Sequence, residues 1–433
     1  MAVTPGVVVA ATRSGAGKTT IALGLMRALV RRGHAVQPYK CGPDYIDPAF
    51  HGVAAGRPSY NLDHWAMSPP TLAALAAGHP ADIAVAEGVM GLFDGTGGRG
   101  ATADVAAAVG WPVILVLDVT GQTETAAAIA AGCARYREDV QVAGVILNRV
   151  SSPRHLSLIR PALARIGLPL LGAIPRDARL TLPERHLGLV QASETTDLDA
   201  RLDDFAAVIG DTIDLDAVLQ AARPSRASGT AVGLIDPPGQ RIGLARDSAF
   251  SFTYPHMLAN WRTRGAEIIP FSPLADEAPP ADADAIWLPG GYPELHAARL
   301  SHAAHFGEGL RRAAARAVSI HGECGGYMVL GQGLEDAEGH RHAMVGLLGL
   351  ETSFSKRRLH LGYRQARLLA DSSLGRAGTE ILGHEFHYAT VLSATDPALV
   401  DCRDAAGATA KEGGARRGSV SGSFFHAIAR RHD

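Results

Sequence analysis

Cysteine is scarce in this chain, with four residues in 433, at positions 41, 133, 324 and 402. They form no CxxC pair and no zinc-type spacing, which sets aside a disulfide framework and a structural zinc site. Charge of either sign is nearly absent in the balance. The formal net charge is −2, which lacks the basic excess a nucleic-acid partner asks for. Long pure apolar runs are missing too, so no segment reads as a membrane span. The Ala-rich stretch after Thr120 is broken by Gln122, Glu124 and Arg135 and reads as an ordinary helix. No signal-peptide pattern opens the chain. What is present is 47% hydrophobic and 19% charged residues, rich in Ala and Gly. That is a globular composition, long enough for two domains or three. A cytoplasmic enzyme with no nucleic-acid and no membrane partner is expected.

One stretch organises the rest, AVSIHGECGGYMVLG at 317–331. An apolar run ends at Ile320, a Gly-rich turn carries Cys324, and a helical pattern begins at Tyr327. Gly322-Glu323-Cys324-Gly325-Gly326 has small residues two before and two after a nucleophile. Strand and helix then approach closely at a strained elbow, and the Gly325 N–H faces a developing oxyanion. A helix N-terminus at this point is expected to lower the thiol pKa. The competing reading is a small hydrophobe in a tight turn, which the surrounding glycines disfavour.

The N-terminal half carries a second centre. Gly6-Val7-Val8-Val9-Ala10 is an apolar run suited to a buried parallel strand. ATRSGAGKTT at 11–20 follows, then the helical pattern IALGLMRALVRRG. Strand, glycine loop and helix come in the order a phosphate-binding loop needs. Ser14, Gly15, Gly17, Lys18, Thr19 and Thr20 are assigned to ATP: loop N–H groups cradle phosphate, Lys18 reaches the β/γ oxygens, and the Thr19 hydroxyl holds Mg²⁺. Thr12 stands where the usual pattern has its first glycine.

Further strands are expected at 35–39, 83–86, 112–117, 140–147 and 168–174, each followed by a loop on the ligand crevice. The loop after the first of these is Lys40-Cys41-Gly42-Pro43-Asp44-Tyr45-Ile46-Asp47-Pro48. Two carboxylates so close suit a metal or an attacking water; the alternative is a pair of Asx-type turns. On composition alone the turn reading wins for one of the two. Glu87, at a strand end, takes the Walker-B-like place for Mg²⁺. Asp94 follows in a Gly-rich loop, with a simple turn as the alternative. His51 and His64 lack ligand spacing and read as loop residues. Alternating strands and helices give a parallel, doubly wound α/β sheet over residues 1–221. Residues 222–232, small, polar and Pro/Gly-bearing, read as a linker. RIGLA at 241–245 opens a new domain over 233–433. A strand at 285–288 there runs into Pro289-Gly290-Gly291, a turn suited to the second oxyanion donor, assigned to Gly291.

HGECGGYMVLG resembles the glutaminase half of class I glutamine amidotransferases, in wording closest to the cobyrinic acid a,c-diamide synthase branch. The loop form xTxSGxGKTT resembles dethiobiotin synthetase and MinD-like proteins. GPDYIDP, NLD at 61–63, EGVMGLFDG at 87–95, LPERHLGL at 182–189 and LPGGYPE at 288–294 are similar to motifs of the same diamide synthase family, in order along nearly the whole chain. The resemblance implies a P-loop amidoligase domain followed by a flavodoxin-like glutamine amidotransferase domain. It shifts the reading of the 40–48 loop and implies that Asp47 serves the metal. It implies that Asp44, Tyr45 and Asp94 serve the substrate and acyl transfer, and that Asn148 reads adenine. It picks His426, in Ser423-Phe424-Phe425-His426, as the base for Cys324 over His384 and His387. Many class I enzymes carry a Glu two residues after that histidine; here Ile428 stands there, so that acid is absent and the base is expected to be positioned by backbone or by another group. Glu385 is read as structural or substrate-facing. Arg13, at the position of a signature lysine, either touches phosphate across a homodimer or is a solvated loop residue. The implied reaction uses ATP, Mg²⁺ and L-glutamine to amidate the a and c acetates of a corrinoid, cobyrinic or hydrogenobyrinic acid. Nickel-sirohydrochlorin diamide synthase and cobyric acid synthase are the nearest alternatives. A MinD-like partner-binding ATPase is the alternative outside the class, and an intact Cys324 and His426 speak against it.

Overall fold

The structure is a computed structural model of the 433-residue chain. It describes residues 3–182, 184–185, 188–189, 191–226 and 230–431. Pro183, His186 and Leu187 of the LPERHLGL stretch lie outside them. The chain divides into two compact units, Met1–Val232 and Gly233–Asp433.

In the first unit, β1 (Pro5–Ala11) runs up the middle of the sheet and feeds α1 (Lys18–Arg31) through the glycine loop. Then come β2 (Val36–Cys41), α2 (Asp47–Ala55), β3 (Tyr60–Leu62), α3 (Pro69–Ala77), β4 (Ile83–Glu87), α4 (Thr102–Val109), β5 (Val113–Asp118), α5 (Thr125–Arg135), β6 (Val142–Val150), α6 (Pro153–Arg165) and β7 (Leu170–Pro175). The strand order is β3-β2-β4-β1-β5-β6-β7, all parallel. β2, β4 and β5 are buried along their whole length. Strands covered by helices on both faces need unbroken apolar runs, and that is what VILVLD and IAVAE provide. α7 (Leu198–Thr212) packs against α1 and α8 (Leu215–Ala221) follows. The segment expected as a linker begins as structure. Arg223–Pro224, β8, pairs antiparallel with Pro5 and Gly6, and Ser225 is buried. The free edge of backbone at the start of β1 supplies the partner that composition could not reveal.

In the second unit, β9 (Arg241–Ala245), α9 (Pro255–Thr263), β10 (Glu267–Phe271), β11 (Ala285–Leu288), α10 (Ala297–His302), α11 (Ala304–Ala315), β12 (Ser319–Glu323) and α12 (Gly325–Leu330) come in order. A second, antiparallel layer uses β13 (His360–Leu368), β14 (Glu380–His387) and β15 (Val400–Asp404), before β16 (Ala415–Arg417), β17 (Val420–Ser423) and β18 (Phe425–Arg430). The main sheet is β10-β9-β11-β12-β17-β16, parallel except for β16. The second sheet is β15-β13-β14-β18, antiparallel. β17 and β18 are nearly continuous, so the chain passes from one sheet to the other between Ser423 and Phe425. That crossing brings His426 to the elbow: Glu323 pairs opposite Ser423, and the Cys324 N–H donates to Ser423 O at 2.7 Å. Among the described residues no helix is long and apolar enough to cross a membrane.

Candidate active sites

Cys324 sits between β12 and α12 with φ 46° and ψ −105°. A non-glycine residue there is strained by about 1–3 kcal/mol, and it persists because the surroundings fix it. A Cβ on Gly326 would lie 2.0 Å from Leu288 O, so helix and strand meet at backbone contact, as the elbow pattern requires. The thiol is 2% exposed and its Sγ faces Phe386 O at 3.7 Å. Burial, then Glu294, Glu385 and Glu323, push its pKa above the ordinary thiol range, against the Gly325 N–H. The lowering expected from a helix N-terminus is therefore overturned. One short helix does not offset full desolvation beside three carboxylates.

His426 is fully buried on β18. A Cβ on Gly290 would lie 2.3 Å from His426 Cε1, 2.8 Å from its Nε2 and 3.1 Å from Cys324 Cβ. Gly290 thus marks the point where the histidine's Nε2 edge and the cysteine converge, and only glycine fits there. A Cβ on Gly325 would lie 3.1 Å from Gly291 N, so the backbones of the two expected oxyanion donors are neighbours. His384 lies opposite His426 in the β14–β18 register. Burial, His426 and Arg364 push its pKa down to about 3.

An acid absent from the expectation faces His426. Glu323, the residue before the nucleophile, holds Oε2 at 3.6 Å from His426 Nδ1 and accepts the Ala427 N–H on Oε1 at 2.8 Å. With Ile428 in the usual acid's place, the pairing of β12 with β17 brings an acid to the histidine from another element. Beyond Cys324, Glu385 accepts from Arg364 Nε at 2.5 Å and bonds His387 Nε2 at 2.8 Å. Burial works to raise Glu385, but those bonds outweigh it and hold the carboxyl low. His360, Glu385 and His387 each bring one ligand atom within 4.8 Å of the others. The His360 and His387 rings are stacked at 4.6 Å and 4°, so their in-plane lone pairs do not converge, and Arg364 already supplies the cation. The cluster fits an ion-pair brace better than a metal centre.

In the first unit, Gly15 and Gly17 take φ 73° and 94°, which closes the loop as only glycine readily can. Lys18 Nζ donates to Met90 O at 2.6 Å and Arg13 O at 3.3 Å, and burial lowers its pKa. Thr19 Oγ1 donates to Glu87 Oε1 at 2.5 Å. Glu87 is also held by Lys40 Nζ at 3.1 Å and His51 Nε2 at 2.6 Å. Burial alone would raise Glu87; Lys40, His51 and Thr19 more than offset it and keep the carboxyl well below its usual range. His51, expected in a loop, is a fully buried α2 residue that also bonds Ser59. His64 lies 3.9 Å from Asp104. Asp47 opens α2 and is bonded to Lys40 at 2.7 Å, with its pKa raised by burial and by Asp44 against the Lys40 charge. Lys40 thereby occupies the place between Asp47 and Glu87. Thr19 and Glu87 supply the oxygen donors a hard cation takes, and Asp47 lies across Lys40, which bonds both acids.

Asp44 Oδ1 accepts the N–H groups of Ile46 and Asp47, and Asp94 Oδ2 accepts that of Gly91. Both acids therefore build their turns, and Tyr45 beside the first is buried. Asn148 Nδ2 donates to Ala16 O at 2.8 Å, and its Oδ1 accepts the Arg149 N–H. It pins the loop while lining a cavity of about 600 Å³ with Gly17, Thr20, Thr120, Pro175 and Arg176. Arg13 is an exposed loop residue whose Nη1 donates to Ser14 O at 3.1 Å and whose Nη2 bonds Asp118 at 2.6 Å, a buried carboxylate that Arg149 also holds at 2.6 Å.

Residues 7–190 match the model of the CobQ/CobB/MinD/ParA nucleotide binding domain, and residues 241–433 that of the CobB/CobQ-like glutamine amidotransferase domain. Proteins named hydrogenobyrinate a,c-diamide synthase are similar end to end. The one from Rhodobacter capsulatus is 57% identical over 98% of both chains. Those from Mesorhizobium japonicum and Agrobacterium fabrum are 55% and 51% identical over the same share. With both halves matched in order and full-length identity above one half, the chain belongs to the hydrogenobyrinate a,c-diamide synthase family, a nucleotide-binding domain joined to a glutamine amidotransferase domain.

Proposed function

We propose that the protein amidates the a and c acetate side chains of hydrogenobyrinic acid, using ATP and glutamine. The observation that carries this is the pairing of an elbow cysteine and buried histidine with a phosphate loop, on a chain 57% identical to a relative so named.

In the second unit, Cys324 Sγ attacks the side-chain amide carbon of glutamine. Its proton passes to His426 Nε2 and then to the departing ammonia. The thiol's raised pKa makes this transfer necessary, because the thiolate is not standing ready. The N–H groups of Gly291 and Gly325 receive the oxyanion. Water cleaves the thioester and releases glutamate.

In the first unit, the loop and Lys18 hold ATP phosphates, with Ser14, Gly15, Gly17 and Thr20 beside them, and Asn148 borders the base cavity. Thr19 and Glu87 would hold Mg²⁺, which neutralises phosphate charge during transfer. Lys40 keeps Asp47 and Glu87 in register. The γ-phosphoryl group moves to a substrate carboxylate, giving an acyl phosphate and ADP. Ammonia then displaces phosphate, forming the amide, because phosphate leaves where a carboxylate oxygen does not. Asp44, Tyr45 and Asp94 line the acceptor side.

The test is direct. The protein is incubated with ATP, Mg²⁺, glutamine and, separately, hydrogenobyrinic acid, cobyrinic acid and nickel-sirohydrochlorin, and product masses are read. The diamide from hydrogenobyrinic acid is the expected major product. Exclusive conversion of another macrocycle would overturn the substrate assignment.

A further inference from the structure

We propose that Glu323 is the positioning acid of the glutaminase site, filling from β12 the role that position 428 leaves vacant. The proposal rests on Cys324 and His426 being nucleophile and base.

A buried carboxylate is costly unless its oxygens are partnered. Glu323 is 1% exposed. Its Oε1 is fixed by the Ala427 N–H at 2.8 Å, a donor one residue from the histidine. That bond aims Oε2 at His426 Nδ1, at 3.6 Å. The gap exceeds a hydrogen bond by about half an ångström, and such contacts tighten as the reacting complex forms. The opposite edge of the ring, Nε2, meets Gly290 beside Cys324. Carboxylate, imidazole and thiol therefore stand in the order a triad needs, with the acid holding Nδ1–H so that Nε2 is the basic nitrogen. Glu385 is not available for this, since its oxygens bond His387 and Arg364. Ile428 is apolar and buried, with its carbonyl bonded by His256. Placing the acid next to the nucleophile couples both to one elbow: the strand register that seats Cys324 also seats Glu323.

The test compares the full chain with Glu323→Gln, Glu323→Asp and Cys324→Ala. Glutamine hydrolysis and ammonia-driven synthesis are both measured. Gln keeps an acceptor for the Ala427 N–H and removes the charge. The expected fall in kcat for glutamine hydrolysis is about 10- to 100-fold, less than a serine triad loses, because a thiol is the better intrinsic nucleophile. KM changes less than about threefold, and ammonia-driven synthesis stays at the parent level. Asp, which keeps the charge on a shorter arm, recovers part of the loss. A Gln variant with parent kcat overturns the proposal, and so do Gln and Asp variants that are equally impaired, whatever their ammonia-driven rates. Glutaminase activity surviving in Cys324→Ala instead overturns the underlying reading.

Discussion

At the residue scale, the raised thiol pKa decides how Cys324 behaves before glutamine arrives. Burial and three carboxylates favour the neutral thiol. Alkylation of the Cys324 peptide by iodoacetamide is therefore slow at neutral pH and climbs with pH beyond the range of an ordinary thiol at ~8.5. A rate already flat at neutral pH would show a standing thiolate and contradict this. His426→Ala should lower thioester formation by ~10²–10⁴-fold, the usual worth of a general base. His384→Ala should cost far less, because burial beside His426 and Arg364 makes that ring a poor base. A larger loss in His384→Ala would move the base assignment. The residues most readable from sequence were those whose chemistry is local. Lys18 and Thr19 are fixed by a loop of ten residues, and Cys324 by five. Glu323 was in plain view beside Cys324, yet its partner lies about a hundred residues on. Only strand register brings the two together.

At the element scale, buried parallel strands announce themselves. Arg241–Ala245 and Ala285–Leu288 form over the expected residues, because each is a short apolar run bounded by turn formers. The antiparallel sheet of β13, β14 and β18 gave no such signal. HLGYRQARL and EILGHEFH mix core residues such as Leu368 and Ile381 with the Arg364, Glu385 and His387 of the ion-pair brace, so neither reads as an unbroken apolar run. Asp44 and Asp94 show the same limit from the other side. Their turns follow from local chemistry, and whether their other oxygen meets a substrate does not. Gly290 gives a test at this scale. A methyl there would stand 2.3 Å from His426 Cε1 and 3.1 Å from Cys324 Cβ, so Gly290→Ala must displace the base or the elbow. Glutamine hydrolysis should fall at least tenfold while ammonia-driven synthesis persists. Unchanged hydrolysis would mean that the loop relaxes freely and the close approach is not needed.

At the scale of the whole molecule, the proposed function assigns one half-reaction to each of the two units, so lesions should sort by unit. Cys324→Ala removes glutamine use and leaves ammonia-driven amidation. Lys18→Ala removes the buried ammonium assigned to the ATP phosphates. Charge-assisted hydrogen bonds are worth about 1.5–3 kcal/mol, so ATP affinity should fall about 10- to 100-fold and synthesis should fail with either nitrogen source. Asp44→Asn and Asp94→Asn should behave differently. Each carboxylate uses one oxygen to accept backbone N–H groups, a task an amide oxygen can also perform, so both turns should survive. ATP binding then stays near the parent value, while the lost charge depresses diamide formation or stalls the product at a monoamide. The measurement is ATP affinity set beside product distribution for the three variants. If the Asp variants lose ATP as severely as Lys18→Ala, the two acids belong to the nucleotide's metal, and acyl transfer must be assigned to other side chains.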